Sequence, residues 1–551
     1  MGWGVLEDPR SPRAPGTVLL DDIGKLPDAD SPETANLKRD GHIILQPQPS
    51  DSVNDPLNWS PKRKTGIIFL LIVSLVTIGG TSAMLGTGGR KLAEQYHVDY
   101  PAVVRALSPP SIATNAVALF LASAIAAVYG KRVQMVVAIV ALWFTMLAGY
   151  FANSLGYYTG LQVSGGLFHA PFELLLAPLI TDMIYVHQRG RLMALSAIVG
   201  VAGGDASHVI AGNIVAKLGI KYTYIVSFGV LVPLVVLIYF FAWETTFPRP
   251  IVQQNTSDSF ATAADVELKK PQVTMIERVE TEQWSGIGPD RTRDYAADRK
   301  LTFREQLVVF RGRVTDRNFF KAFMQPFPLM VFPSVLFSTI INGAFMTWMI
   351  VSGIISHQVL LYPPYNLKPD VLAYVGLPGS VVGLLSAVGA GLLSDWVIRF
   401  MAHRNNGVYE PEFRLVLMAP AILFSTIGFL SMGPAYAEHA KVVRLIGNGL
   451  VFHIAGPFAN SACITYIFDT MQNTSTEAMV ATSLFKHIFA FFATTYVPGW
   501  FKHVGPIKCF RTLAILNICF SVMTIPMYVY GKRMRGMIGR NEFLTKHSLV
   551  R

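Results

Sequence analysis

Charge is what this chain has least of. Only 15% of its 551 residues are Asp, Glu, Lys or Arg, against roughly 25% in ordinary soluble proteins, so it lacks the polar surface that three or four water-exposed domains would need. Cysteine is nearly missing too. Cys463, Cys509 and Cys519 all fall in apolar stretches, where a small polarizable side chain packs, and their spacing excludes both a disulfide framework and a thiolate metal site. The first residues, MGWGVLEDPRSPRAPG, contain no apolar core of a signal peptide, so the first apolar run is expected to act as the insertion signal. There is no HExxH, no GxSxG, no paired nucleophile and base and no phosphate-binding P-loop, which argues against a polytopic enzyme and against ATP-driven transport. No enzyme activity, metal or bound cofactor is expected.

What the chain does have is apolar length. Hydrophobic residues make up 52% of it, arranged in repeated windows of about 20 residues, the length that crosses roughly 30 Å of hydrocarbon as a helix. Six such runs are predicted at about 65–87, 108–130, 133–152, 158–182, 192–216 and 222–243. Six more follow at about 326–356, 371–394, 413–433, 442–468, 478–500 and 507–530. The fold class expected is therefore all-α integral membrane, about twelve transmembrane helices in two six-helix bundles. The predicted organisation is an N-terminal tail over 1–60, mostly disordered, a first bundle over 61–243, a polar central loop over 244–325, a second bundle over 326–531 and a C-terminal tail over 532–551. Within the loop, 303–313 reads as an amphipathic surface helix.

The formal net charge of +11 does not call for nucleic acid. Lys62 to Lys64, Lys131 and Arg132, Arg189 and Arg191, Arg399 and Arg404, and Lys532, Arg533 and Arg535 end apolar runs on one side, which the positive-inside rule places in the cytoplasm with both termini and the central loop. The other side carries Arg90, Lys91, Lys217, Lys221, Lys441 and Lys502, so the bias is moderate. The partners expected are the bilayer, of the plasma membrane, protons and a small-molecule substrate, handled by a monomer.

Two six-span halves joined by a long loop suggest an internal duplication with a binding site between them near the midplane. DPLNWS before the first span, PFELLLAPLITDMIYVHQRG in the fourth, WETTFPR after the sixth, GLLSDW and RNNGVYEPEFRL after the eighth, and ITYIFDT, TSTEAMV and LFKH from the tenth into the eleventh appear in one order over 55–535. This ordered set resembles the fungal drug:proton antiporter branch of the major facilitator superfamily. The resemblance implies two pseudo-symmetric bundles, alternating access and proton-coupled efflux of a drug, toxin, metabolite or organic cation. The Gly-Pro signature usual in the fifth helix of those antiporters is not present here, which leaves proton-coupled uptake open, and a transporter-shaped nutrient receptor signalling through its tail or central loop is a separate alternative.

The fourth span carries the densest chemistry. Glu173 lies inside it just after Pro171, and a carboxylate there costs roughly 3 kcal/mol on insertion scales. It reads either as a protonatable group facing a central cavity or as a structural glutamate bonded between helices. Asp182, nearly opposite in helical phase, is expected with Arg189 and Arg191 in a cytoplasmic charge network, as a gate or as a loop anchor. In the fifth span Asp205 and His208 share a face and could hold a proton or a cation. Asn342 and Trp348 of the seventh span and His453 and Asn460 of the tenth are further cavity candidates.

The remaining charged candidates lie at loop edges. YGKRVQM, with Lys131 and Arg132, resembles the superfamily's basic loop motif but has Ala127 where an acid belongs, whereas the second copy keeps Asp395 with Arg399. Either the cytoplasmic gate relies more on the second half, which is the expectation, or the first-half copy has merely drifted. Lys486 is expected at the cytoplasmic edge, snorkelling or paired with Asp469 or Glu477, rather than at the substrate. The predicted orientation leaves the sequons at Asn58, Asn255 and Asn473 in the cytosol, out of reach of the glycosylation machinery. Endoglycosidase treatment of the expressed protein is accordingly expected to leave its electrophoretic mobility unchanged; a downward shift would reverse the topology.

Overall fold

The structure, a computed structural model, describes residues 49–84, 88–185, 203–204, 206–247, 299–315, 318–405, 408–471 and 475–540. It also describes short pieces of the N-terminal segment (3–6, 14, 17–19, 38–40 and 43–44) and residue 192. In chain order the helices are α1 Pro61–Met84, α2 Gly89–Gln95, α3 Tyr100–Tyr129, α4 Arg132–Tyr150, α5 Leu155–Met183, α6 over 206–217 and α7 Ile220–Phe241. The central loop yields α8 Phe303–Gln306, α9 Phe319–Met324 and α10 Pro326–Leu329. The second half comprises α11 Pro333–Leu360, α12 Pro369–Val375, α13 Leu377–His403, α14 Met418–Ala437, α15 Val442–Thr470, α16 Ser475–Val504, α17 Pro506–Val522 and α18 Thr524–Arg540.

Helix is the form that satisfies every backbone group within one segment when no water is available. Among the described residues eleven helical stretches are long and apolar enough to span a bilayer. The expected fifth span is described only in part, as α6. Two boundaries differ from the sequence reading. The second span starts at Tyr100, with Pro101 in its first turn and Pro109 and Pro110 inside the helix. The final run is two helices, α17 and α18, parted at Met523. The predicted surface helix of the loop shrinks to one turn, α8, closed by a capping box between Thr302 and Glu305. Hydrogen bonds from the Thr302 backbone and hydroxyl hold the exposed Glu305 carboxyl below its usual range.

One apolar core lies within the first half, from Trp59 to Ala242, and others lie in the second. The partition is not complete, since α3 lends Tyr100 and Val104 to a second-half core and packs against α16. Two glycines set the spacing that matters for the site. A Cβ at Gly166 of α5 would sit 2.2 Å from the Ser111 carbonyl of α3, and one at Gly343 of α11 would sit 3.3 Å from Lys486 Cα of α16. Small residues at such crossings let backbones approach.

At the end away from the N-terminal segment the halves are tied together. Lys502 bonds Asp99 at 3.0 Å, Arg90 donates to the Leu361 carbonyl, and the Tyr100 and Tyr362 rings meet edge to face at 6.0 Å.

The N-terminal segment is expected to be mostly disordered, but its described residues 3–6 and 17–19 dock at the opposite end of the second half. Val18–Leu19 pairs antiparallel with Val408–Tyr409, Leu6 N–H donates to Val529 O at 3.0 Å, and Thr17 Oγ1 donates to Glu410 Oε2 at 2.7 Å. Glu410 belongs to a buried cluster. Lys532 bonds it at 2.6 Å, and Arg535 reaches Glu410 at 3.1 Å and Glu412 at 2.7 and 3.0 Å. Lys532 and Arg535, expected as loop-edge anchors in a C-terminal tail, are thus 6% and 5% exposed. The two glutamates draw α18 inward. Removing one partner of such a group strands a buried charge, at a cost of about 3–5 kcal/mol. Glu412→Ala is expected to lower the thermal unfolding midpoint in detergent sharply, and adding Arg535→Met to recover most of the loss; an unshifted single variant would show that the cluster does not support the fold.

Candidate functional site

The helix α5 brings the chemistry to the centre. Ser154 caps it by accepting the Tyr157 N–H, and it runs through Pro171 and Pro178, each of which deletes an internal donor. His169 and Glu173, four residues apart, share a face. Because Gly166 admits α3 closely, Asn115 of α3 reaches that face. Its Nδ2 lies 3.2 Å from Glu173 Oε2 and 3.3 Å from His169 Nδ1, and His169 Nδ1 is 3.9 Å from the same carboxylate oxygen. From the other half, Lys486 of α16 donates its Nζ to Glu173 Oε1 at 2.9 Å. His487, beside it, places Nδ1 2.6 Å from the Ser483 carbonyl. One acid, one amine, one amide and an imidazole therefore bridge the halves.

The bridge is not sealed: the Lys486 and Glu173 side chains are 27% and 30% exposed. A carboxylate that keeps part of its surface open can exchange its lysine partner for a proton or for a ligand group. This corrects the placement of Lys486 at the loop edge. Both partners proposed for it there are engaged elsewhere, Asp469 by Arg414 and Tyr409 and Glu477 by Gln325 Nε2 at 3.3 Å. The available signal was complementarity, since each of α5 and α16 carries one opposite charge deep in its apolar run. Asn115 was missed because an amide within an Ala-rich run raises no charge signal.

The other cavity candidates are dispersed. Asp205 lies outside the described residues. His208 places Nδ1 3.0 Å from the Gly204 carbonyl and lies in electrostatic range of His357 of α11. His453 bonds the Gly449 carbonyl at 2.8 Å. It lines a second-half cavity of about 140 Å³ with Ser352, His357 and Tyr436, apart from Glu173. Trp348 is 4% exposed and meets Phe489 edge to face, so it packs the core rather than lining open space. Asn342 buries its Oδ1 with no donor among the described residues, and Asn460 is half-buried on α15.

The gate candidates resolve into two charge networks. Lys131 Nζ bonds Asp182, whose Oδ2 also accepts from Thr245 Oγ1 at 2.6 Å. Arg189 and Arg191, the partners expected for Asp182, lie outside the described residues. Arg132 is fully buried. Its guanidinium donates to the carbonyls of Ala242 at 2.5 Å and Tyr239 at 2.7 Å, capping the negative end of α7. Glu244 accepts the N–H groups of Lys131 at 3.1 Å and Arg132 at 3.0 Å. Ala127 cannot supply an acid here, and Glu244 of WETTFPR instead caps the start of α4 through these two N–H groups. In the second half the expected pair is not made: Asp395 and Arg399 are exposed, and their side chains form no ion pair or hydrogen bond among the described residues. Arg414 takes the position instead, bonding Asp469, Tyr409 Oη at 2.9 Å and Ser394 Oγ at 3.3 Å. Burial and the Asp469 charge push the Tyr409 phenol well above its usual range, which keeps it a hydrogen-bond donor to Asp469 at 2.5 Å.

This arrangement has counterparts among known proteins. A family model described as Major Facilitator Superfamily matches residues 69–494. The chain is 25% identical over 549 residues to an uncharacterized MFS-type transporter of Schizosaccharomyces pombe, covering 95% of this chain and 92% of that one. It is 24% identical over 566 residues to protein HOL1 of Saccharomyces cerevisiae, covering 95% of each. The crystal structure of a D-xylose-proton symporter superposes with a TM-score of 0.55 at 14% identity, covering 85% of this chain and 99% of that one. With its helices in place, its two loop-end charge networks described and the family model spanning both halves, the chain belongs to the Major Facilitator Superfamily of transporters.

Proposed function

We propose that this protein exports a small organic molecule by proton-coupled alternating access, as a monomer in the plasma membrane with both termini in the cytoplasm. The substrate is a drug, toxin, metabolite or organic cation, and no resident cofactor takes part; the proton gradient supplies the energy. The observation that carries the reading is the partly open Glu173–Lys486 bridge at 2.9 Å between α5 and α16. Relatives described as efflux pumps, from Penicillium aethiopicum and Aspergillus flavus, add support for the direction.

In this reading the bridge is the coupling element. A proton on Glu173 cancels its charge and frees Lys486, so the tie between the halves weakens and they rock apart around the site. Asn115 and His169 hold the carboxylate in place and offer a local path for the proton. Substrate entering between the helices meets the released carboxylate or ammonium, and its departure restores the pair. The networks of Lys131 with Asp182 and of Arg414 with Asp469 serve as the hinges and latches of the cytoplasmic gate.

The test is transport in proteoliposomes under an imposed pH gradient, with a compound chosen by comparing accumulation in cells lacking or overproducing the gene. Glu173→Gln is expected to abolish gradient-driven accumulation, by tenfold or more, on the order of the loss of one charge-assisted interaction, while substrate exchange without a gradient persists. Unchanged gradient-driven transport in that variant would remove Glu173 from the coupling. Ligand binding with no transport by the parent protein would favour a receptor instead.

A further inference from the structure

DPLNWS, a motif that the transport reading leaves unused, meets WETTFPR at the edge of the first half. Asp55 accepts from Leu57 N at 2.9 Å, Ser50 N at 3.0 Å and Ser50 Oγ at 2.9 Å, fixing the turn Pro56–Asn58. Asn54 accepts the Leu301 N–H at 3.0 Å and donates to the Arg299 carbonyl at 2.9 Å, so the returning end of the central loop is fastened to this turn. The Arg63 guanidinium then lies between two indoles, 3.9 Å from the Trp59 ring centre and 3.7 Å from that of Trp243. Its Nη2 donates to Gln306 Oε1 at 3.1 Å.

These elements line a partly open cavity of about 220 Å³, bordered also by Thr246 and by the exposed Arg311. Three donor atoms of the lining residues, Arg63 Nε, Trp243 Nε1 and Thr246 Oγ1, are buried and have no acceptor among the described residues. A buried donor left unpaired forfeits its hydrogen bond to water, so such a grouping calls for an acceptor. The wall's carboxylate, Glu244, does not supply it, because its oxygens accept from the N–H groups of Lys131, Arg132 and Thr246. Arg311 adds a second guanidinium, held by the Glu305 carbonyl at 2.8 Å. The Arg63 and Arg311 guanidiniums border this space, while the three unpaired donors beside it are occluded and reach an occupant when their side chains turn toward it; guanidinium planes match phosphate, a compact anion with several oxygens, in particular. The volume is below that of a cavity for a drug-sized ligand.

We propose that this cavity binds a phosphate group, of a phospholipid headgroup or of a free phosphate, and that the bound phosphate locks the end of the central loop to the first half. Because Arg63 also wedges the two tryptophans, Arg311→Gln and Thr246→Val carry the test, with Arg404→Gln as a basic residue outside the cavity. The full-length protein is titrated with inorganic phosphate in detergent, and separately placed in nanodiscs of phosphatidylcholine with and without phosphatidic acid. Thermal stability and native mass spectrometry are the readouts. Stabilisation and one bound phosphate or one retained phosphatidic acid are expected for the parent and Arg404→Gln, and apparent affinity about tenfold weaker for the other two variants. A response to phosphatidic acid alone identifies a lipid headgroup, and one to inorganic phosphate a free anion. Binding of neither probe, or equal binding by all variants, would overturn the proposal.

Discussion

A charge in hydrocarbon must find a partner, and that constraint organises this protein more than any apolar contact does. Apolar side chains are as content against lipid as against one another, so they fill the bundles without specifying how the halves sit. Charged groups are few and each needs a particular neighbour. Arg132 finds the free carbonyls at the end of α7, Arg535 finds Glu412 and Glu410, and Lys486 finds Glu173 across the bundle. Each match fixes the relation of helices far apart in sequence.

The loop-end networks show the duplication in its chemistry. Asp182 closes α5 and Asp469 closes α15, the fourth span and the tenth, and each takes a cation from the loop leading into the adjacent helix, Lys131 or Arg414. The next layer reverses sign. In the first half the cation, Arg132, stands at the start of α4 and the acid, Glu244, follows α7. In the second the acids, Glu410 and Glu412, precede α14 and the cations, Lys532 and Arg535, lie on α18. What the two halves share is a polar tie between the third and sixth helix of each, made through backbone N–H groups to Glu244 in the first half and through ion pairs in the second, not the residue at either end of it. That explains why matching the second half to the basic loop motif residue by residue led to Asp395 and Arg399, which stand exposed.

The sequence displayed the architecture clearly because hydrocarbon thickness writes itself as helix length, and eleven of the described helices answer to it. It displayed Glu173 for the same reason, as a group out of place. It did not display the partner. Helical phase tells which residues share a face of one helix but nothing of which helix comes opposite, and Lys486 near a loop admits a local explanation that looks cheaper. Glu244 was hidden likewise, since an acid after a span reads as a loop residue until its distance to Lys131 and Arg132 is known. The docking of Val18–Leu19 was hidden by composition: a polar, proline-rich segment with little periodicity gives no sign that a buried Glu410 awaits its threonine.

The exposures of these pairs separate structural from working electrostatics. Replacing a buried ion pair by well-fitted apolar groups is often neutral or stabilising, so the pairing alone is no argument for function. The Arg535 cluster, with side chains 0–7% exposed and its acids held by several donors, has every mark of a group that closes once, on folding, and stays closed. The Glu173–Lys486 pair has one direct bond between partners 30% and 27% exposed, an imidazole 3.9 Å away, and a carboxylate oxygen shared with an amide. Its partial exposure lessens the desolvation cost of both charges, and it makes fewer hydrogen bonds than the Arg535 cluster. That partial exposure is what the proposed exchange of the lysine for a proton or a ligand group requires.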